Sequence, residues 1–463
     1  MDSYDLTVLG SGPGGYVAAI RAAQLGKKVA IVERDALGGV CLNWGCIPTK
    51  SLLRLAENRH FLDAAADWGF DIGSLSVNWS RVIEHSRGAA NKLSGGVTHL
   101  MKKNGIEVLR GHGSFVTPTR LAIADANGNR KEIASENTII ATGARPATLP
   151  GVEIDGRRVI SSKEAMILEE LPKSMTIIGA GAIGLEFAYF YNAFGTEVTI
   201  VEYLDKILPT GDDDICKALT REFKKLKIQT HTSSRVTEVT ADATGTRTTF
   251  EKAGSATTID ADVTLMAIGV RGNWEDLGVE EIGVEVARGF IQTDNHCRTA
   301  VANVYAIGDV RGPPALAHVA SGEGVHAIEH IAGLKPQTID YSSIPACIYC
   351  HPQVASVGMT EAEARGDGYD VQVGRFPFMA NGKSVAVGDT AGFVKIVGDA
   401  RFGEILGAHI IGAEATELIG ELALAKAAEL TVQDVHHTIH AHPTLSESIM
   451  EAAADWHGDA IQI

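Results

Sequence analysis

Cysteine is scarce in this chain: six residues in 463. That is too few for a secreted disulfide scaffold, and in a reducing compartment a close pair of thiols points to chemistry rather than to stapling. Basic residues are outnumbered, 41 against 57 acidic, for a net charge of −16. The balance argues against nucleic acid or an anionic membrane as the main partner, while leaving room for a basic protein partner. No stretch approaches the roughly 18 consecutive apolar residues of a membrane span. Met1-Asp2-Ser3-Tyr4-Asp5 runs straight into a strand-like Leu6-Thr7-Val8-Leu9 with no charged n-region or apolar h-region. No secretory signal or transit peptide is visible, so a bacterial cytoplasm is the expected compartment.

What is present is length, glycine and repetition. A chain this long exceeds one compact core, and two to four domains are expected. With 45% hydrophobic residues and 50 glycines it reads as a loop-rich α/β protein. Gly10-x-Gly12-x-x-Gly15 recurs as Gly179-x-Gly181-x-x-Gly184. In both copies a glycine follows the third Gly by 11 residues (Gly26, Gly195) and a glutamate follows by 18 (Glu33, Glu202). Each unit reads as apolar strand, glycine turn, helix and second strand ending in Glu, which is a βαβ dinucleotide fingerprint. One glycine makes the tight turn, the next admits a pyrophosphate, and the third lets helix and strand pack. A lone copy means little, since 50 glycines give roughly 0.6 by chance; two matched copies mean a fold.

The remaining signals order the chain. Ser51 to about His60 and Trp79 to Lys103 read as helices. Ile106–Leu109, Gly113–Val116 and Leu121–Ala124 read as hairpin strands with a turn at Asn127-Gly128. Strands run into glycine at Thr138–Gly143 and Val263–Gly269, and a third, Asn303–Asp309, ends on an acid. The expected fold class is therefore α/β, with two Rossmann-like domains, one inserted in the other, plus a C-terminal α+β domain. The expected boundaries are 1–149, 150–271, 272–343 (completing the first nucleotide site) and 344–463.

Just after the first fingerprint comes Gly38-Gly39-Val40-Cys41-Leu42-Asn43-Trp44-Gly45-Cys46-Ile47-Pro48-Thr49-Lys50. Thiols five positions apart on one regular helix lie about 7.5 Å apart along its axis, too far for a disulfide. The chain must loop back, with Gly45 giving the freedom and Pro48 suiting the first turn of the next helix. This geometry suits a small dithiol ring that opens and closes. A redox ring reaching it is better a tightly held flavin than a diffusing nicotinamide, which places FAD in the first site. Glu202 accepts ribose hydroxyls and repels a 2′-phosphate, with no arginine nearby in sequence and Lys206 the only near cation; the second site is expected to take NAD.

Together these stretches, with Ala141-Thr142-Gly143, Tyr305-Ala306-Ile307-Gly308-Asp309 and His442-Pro443-Thr444-Leu445-Ser446-Glu447, resemble the flavin disulfide reductases from about residue 3 to about 455. Within that family the chain is most similar to members that oxidise a dihydrolipoyl dithiol with NAD+. The resemblance implies Cys41 as the interchange thiol, Cys46 as the thiolate against the flavin, Lys50 near the flavin's reactive nitrogen and Glu186 as its partner beside the nicotinamide. It implies FAD contacts at Gly10, Gly12, Gly14, Gly15, Glu33, Arg34, Thr142, Gly143, Asp309 and Ala317, and NAD contacts at Gly179, Gly181, Gly184, Glu202 and Gly269. Ala317 opens a helix whose amino end faces the flavin ring. It also implies a homodimer in which the C-terminal domain lends His442, oriented by Glu447, to the partner copy's Cys41. The implied partners are the lipoyl-bearing, E3-binding E2 subunits of 2-oxo acid dehydrogenase complexes, or the glycine cleavage H protein. The rivals are glutathione reductase, which wants NADP, mercuric reductase, whose C-terminal cysteine pair is missing here, and a non-catalytic flavoprotein subunit.

Four histidines cluster near the C-terminus, and His436 and His440 have the i, i+4 spacing of a metal pair. No acid or thiol joins them, and Pro443 breaks a helix there, so no metal is expected. A base is wanted instead, because the thiolate is the nucleophile and histidine carries protons near neutral pH. Cys216 and Cys297 read as structural. Cys347 and Cys350 sit in a strand-like run, where i and i+3 face opposite ways.

Overall fold

The computed structural model describes all 463 residues. The first sheet runs in the order Glu107–Arg110, Val29–Glu33, Asp2–Leu9, Arg130–Ile140, Arg120–Ala124, His112–Thr117, and Val304–Ala306 joins it beside Arg130–Ile140. Its central pairings are parallel, with Leu6–Leu9 registered against Val29–Val32 on one side and Asn137–Ile140 on the other. Strand Val29–Glu33 is buried throughout, as a strand covered on both faces must be.

The second sheet is wholly parallel, in the order Gln229–His231, Glu197–Val201, Ser174–Ile178, Val263–Met266, Val159–Ile160. The chain leaves the first sheet through Ala144–Pro146 and returns through Val270–Gly272, and these two segments pair antiparallel. Since Val304–Ala306 then completes the first sheet, the second is an insertion in the first. An antiparallel meander, Arg235–Ala241, Thr246–Lys252 and Ser255–Ala261, lies within the insertion. Sequence reading does not find it. Its outer strands are largely exposed, and the middle one buries Thr246 and Thr248 beside Phe250, so no apolar alternation marks them.

The C-terminal sheet is antiparallel, in the order Ala346–Ile348, Gln353–Gly358, Ile405–Gly412, Phe393–Asp399, Val371–Pro377. Every residue of Phe393–Asp399 and Ile405–Gly412 is buried. The helices Ala415–Ala427 and Glu447–His457 pack against this sheet. The short helix read from the sequence as Val432 to His437 has that span and ends at a Thr438 cap. His436 and His440 therefore do not share a helical face.

Helix Trp79–Lys103 matches its expected span. The Asn78 side chain caps the Arg81 amide at 3.2 Å, and Lys102 and Lys103 complement the dipole at the other end. Helix Ala182–Ala193 is the joint of the molecule. Phe187, Tyr189, Phe190 and Tyr191 are all buried, in one core with Leu52, Leu53 and Ala56 of the first unit and Ile348 and Val354 of the C-terminal sheet. Each such side chain contributes about 1.5–3 kcal/mol by leaving water, so the three regions are fixed relative to one another by the same residues. Lys395, only 2% exposed, adds a polar pin, with Nζ at 2.8–3.0 Å from Asp212, Asp214 and Glu361. No helix is long and apolar enough to cross a membrane.

Candidate active site

Cys41 lies in the short helix Gly39–Trp44 and Cys46 begins the next, Cys46–Asp63. The two are joined as a disulfide with α-carbons 4.7 Å apart. Gly45 breaks the helix between them. Its glycine eases a close approach, since a Cβ there would sit tightly against Val40 O at 3.2 Å and Cys41 Cα at 3.3 Å. The dithiol is pressed against the first glycine turn: Gly38 N donates to Ser11 O at 3.0 Å, and a Cβ on Gly39 would lie 2.6 Å from Gly12 Cα. Trp44, between the cysteines, carries Arg87 at 4.4 Å and Lys163 at 4.7 Å over its ring. Arg87 also donates to Asn43 O. These two cations come from distant segments, and nothing in their local sequence marks them.

A cleft of about 480 Å³ opens from this turn, lined by both cysteines and by all ten residues assigned to the first nucleotide. The donor set fits a flavin dinucleotide. Helix Pro13–Gln24 has Gly12 at its N-cap with no side-chain cap, leaving first-turn amides for phosphate. A Cβ on Gly12 would touch nothing within 4 Å, so only glycine keeps that approach clear. The Glu33 carboxylate accepts from Ser11 N at 2.9 Å, Ser11 Oγ at 2.6 Å and Asp35 N at 2.8 Å. That fixes it at the strand end with lone pairs still free for ribose hydroxyls. Burial, with Glu323 nearby, pushes the Asp309 carboxyl up. Polyol hydroxyls in the cleft suit such an underpartnered acid. Glu323, unforeseen from sequence, accepts from Gly308 N at 2.6 Å and Tyr341 Oη at 2.7 Å and pairs with Arg311.

The second cleft, of about 620 Å³, is lined by Gly179, Gly181, Glu202 and Gly269. Gly184 is not at its wall; it packs the helix onto Gly179. Glu202 repeats the Glu33 arrangement, accepting from Ala180 N at 2.7 Å and Leu204 N at 2.8 Å. One expectation needs correcting. An arginine does reach this cleft, Arg235, carried in by the unforeseen meander. It is paired with Glu251 at 3.1 Å, and Lys206 is paired with Asp213 at 2.6 Å. Both local cations are thus engaged with carboxylates.

Lys50 and Glu186 line neither cleft. They meet each other, with Lys50 Nζ at 3.1 and 3.0 Å from the two carboxylate oxygens. Tyr349 joins them from the C-terminal sheet. Its amide donates to Glu186 at 3.0 Å and its ring lies 4.4 Å from Lys50 Nζ. Sequence reading passed over Tyr349 in favour of its cysteine neighbours. Cys216, Cys297, Cys347 and Cys350 are free thiols. Burial pushes Cys347 up to about 11 and raises Cys350 further still, so neither is a ready thiolate.

His442 stands apart from the dithiol cleft. Its Nδ1 is 2.9 Å from Glu447 Oε1, and the side chain is 79% exposed. Glu447 also accepts from Thr444 N at 2.8 Å. A base so presented faces solvent. No group of three or more His, Cys, Asp or Glu is placed to hold a metal ion.

Residues 4–324 match the family described as pyridine nucleotide-disulphide oxidoreductase, and residues 344–453 match its dimerisation domain. The chain belongs to the pyridine nucleotide-disulphide oxidoreductases. It is similar to the dihydrolipoyl dehydrogenase of Chlorobaculum tepidum, 46% identical over 98% of this chain and 97% of that one. It is also similar to a Bacillus subtilis dihydrolipoyl dehydrogenase, 45% identical over 99% of each chain. Among solved structures of this oxidoreductase fold, LpdA from Mycobacterium tuberculosis superposes with a TM-score of 0.91 at 28% identity, covering 98% of this chain and 99% of that one.

Proposed function

We propose that the chain is a dihydrolipoyl dehydrogenase, oxidising a dihydrolipoyl dithiol to the disulfide with NAD+. The observation that carries this reading is the Cys41–Cys46 disulfide held against the first nucleotide turn, in a chain whose curated relatives bear that name along their whole length. FAD bound at the first turn supplies two-electron transfer between the enzyme dithiol and NAD+ bound at the second.

The protein's own residues do the sulfur and proton chemistry. His442, steadied by Glu447, takes a proton from the substrate dithiol. The resulting thiolate attacks Cys41 Sγ, the Cys41–Cys46 bond breaks, and Cys46 departs as thiolate. The second substrate thiol attacks the mixed disulfide, closes the lipoyl ring and frees Cys41. Two electrons and the exchanged protons now reside on the enzyme's dithiol and base. Glu186 and Tyr349 fix the position of Lys50, one helical turn beyond Cys46. Glu202 would hold the NAD ribose, and Asp309 and Glu33 would hold hydroxyls of FAD.

The family's dimerisation domain supports a homodimer, in which one copy's exposed His442 serves the other's Cys41. The proposed division is 1–149 and 272–343 for FAD, 150–271 for NAD and 344–463 for the dimer. Lipoyl-bearing E2 subunits or the glycine cleavage H protein are the proposed partners, in the cytoplasm. The test is NADH-dependent reduction of lipoamide beside glutathione disulfide and Hg2+. Turnover of either rival without lipoamide turnover overturns the substrate.

A further inference from the structure

Beside His442 and Glu447 sits a second histidine–carboxylate pair that the proposed reaction leaves unused. His440 places Nδ1 2.8 Å from the Thr438 carbonyl oxygen and Nε2 2.7 Å from Glu421 Oε1. A carbonyl oxygen only accepts, so Nδ1 carries a hydrogen. An ionised carboxylate also only accepts, so Nε2 carries one as well. A ring with both nitrogens protonated is an imidazolium. The hydrogen bond to Glu421 pushes His440 above the ordinary histidine range, against the opposing pull of burial.

The placement gives that charge a purpose. The His440 side chain is only 5% exposed, so Thr438 and Glu421, rather than water, hold it. Glu421 reaches it from helix Ala415–Ala427, and Glu447 faces it from helix Glu447–His457. Burial raises the Glu447 carboxyl, but the Thr444 amide, His442 and His440 together bring it below the usual range. Glu447 therefore feels two histidines: one buried and anchored, the other exposed. Between them runs only Ala441.

We propose that His440 is a standing cation and a positioning residue for His442: clamped between Thr438 and Glu421, it anchors the 438–442 loop that carries the base. It deepens the dithiol-oxidation reading and depends on it. The anchored ring fixes how the loop presents His442 to the other copy's dithiol.

The test uses the full-length flavin-loaded dimer and three variants, His440→Gln, His440→Lys and Glu421→Gln. For His440→Gln, kcat/KM with dihydrolipoamide at neutral pH falls roughly tenfold. His440→Lys, which keeps a cation opposite Glu421, recovers part of that loss. In native enzyme with 15N-labelled histidine, one buried ring shows both nitrogens protonated at pH 7.5, and Glu421→Gln abolishes that signature. A neutral-ring pattern for His440, or a His440→Gln kcat/KM equal to that of the native enzyme, overturns the proposal. Native enzyme that fails to turn over dihydrolipoamide overturns the functional reading instead, and the nitrogen spectra separate the two failures.

Discussion

Lys50 and Glu186 stand 136 positions apart in sequence, yet the lysine Nζ lies 3.0–3.1 Å from both oxygens of a carboxylate that is only 6% exposed. Neither residue lines a nucleotide cleft, and each comes from a helix that starts at one. The pair exists because the helices Cys46–Asp63 and Ala182–Ala193 share a core. Truncating the carboxylate leaves Lys50 without its partner beside Tyr349. Glu186→Ala is therefore expected to cost about 1–3 kcal/mol, toward the low end because Lys50 is one-third exposed. Flavin bleaching by NADH slows at least tenfold in rapid mixing, while bleaching by dihydrolipoamide changes little. Equal slowing of both half-reactions would contradict a role on the nucleotide side.

The two sulfurs are distinguishable by spectrum. Two-electron-reduced enzyme shows a long-wavelength thiolate-to-flavin charge-transfer band. Cys46→Ser loses it, and Cys41→Ser, with Cys46 left as the free thiolate, shows it even before reduction. A Cys46→Ser enzyme that kept the band would reverse the assignment.

Nucleotide choice is expected to lie in Glu202, since Arg235 and Lys206 are both committed to carboxylates. Glu202→Gln keeps a partner for the Ala180 amide while removing the charge that repels a 2′-phosphate. The NAD-over-NADP ratio of kcat/KM narrows by about tenfold. An unchanged ratio places selectivity elsewhere.

The buried Lys395 gives acid stability a defined origin. Burial is the largest influence and raises the Asp212 and Asp214 carboxyls, but the hydrogen bonds and charge of Lys395, joined by His409 and the Glu361 amide at Asp212 and by Arg375 at Asp214, together hold both below the ordinary range. Glu361 is lowered chiefly by its hydrogen bond from the same lysine. For carboxylates lowered in the fold, the stabilisation is present above their unfolded values, near 4, and is lost as pH falls through the folded ones. Lys395 itself is raised despite burial, so its share is full below about 10.4 and is lost only in stronger alkali. Lys395→Met leaves Asp212 buried and unpaired and costs about 3–5 kcal/mol. Its acid unfolding midpoint rises in a pH titration followed by circular dichroism, and Asp212→Asn in the same chain recovers part of the loss.

The nucleotide turns, their glutamates and the dithiol were legible in the chain because each is local: glycine, strand and helix signals fall within some thirty residues, and their chemistry follows from spacing. The meander was not, because its outer strands are largely exposed and two of the three buried positions of its middle strand, Thr246 and Thr248, are polar, which leaves no apolar period to read, and Arg235 arrives on it. Trp44's two cations, Glu323 beneath Asp309, and Tyr349 against Glu186 were equally silent. Each acts across a packing contact, and a contact between distant segments has no signature in either one.

What the sequence determined by itself was the inventory: two phosphate-binding turns, a disulfide-forming pair, and a histidine followed by a glutamate. The tertiary structure decided the wiring, and burial is the reason. A shared apolar core around Phe187 and Tyr191 brings Lys50 to Glu186, while the loop after His437 leaves His442 in solvent and encloses His440. Which histidine is the exposed base and which the enclosed cation depends on which one the fold keeps from water.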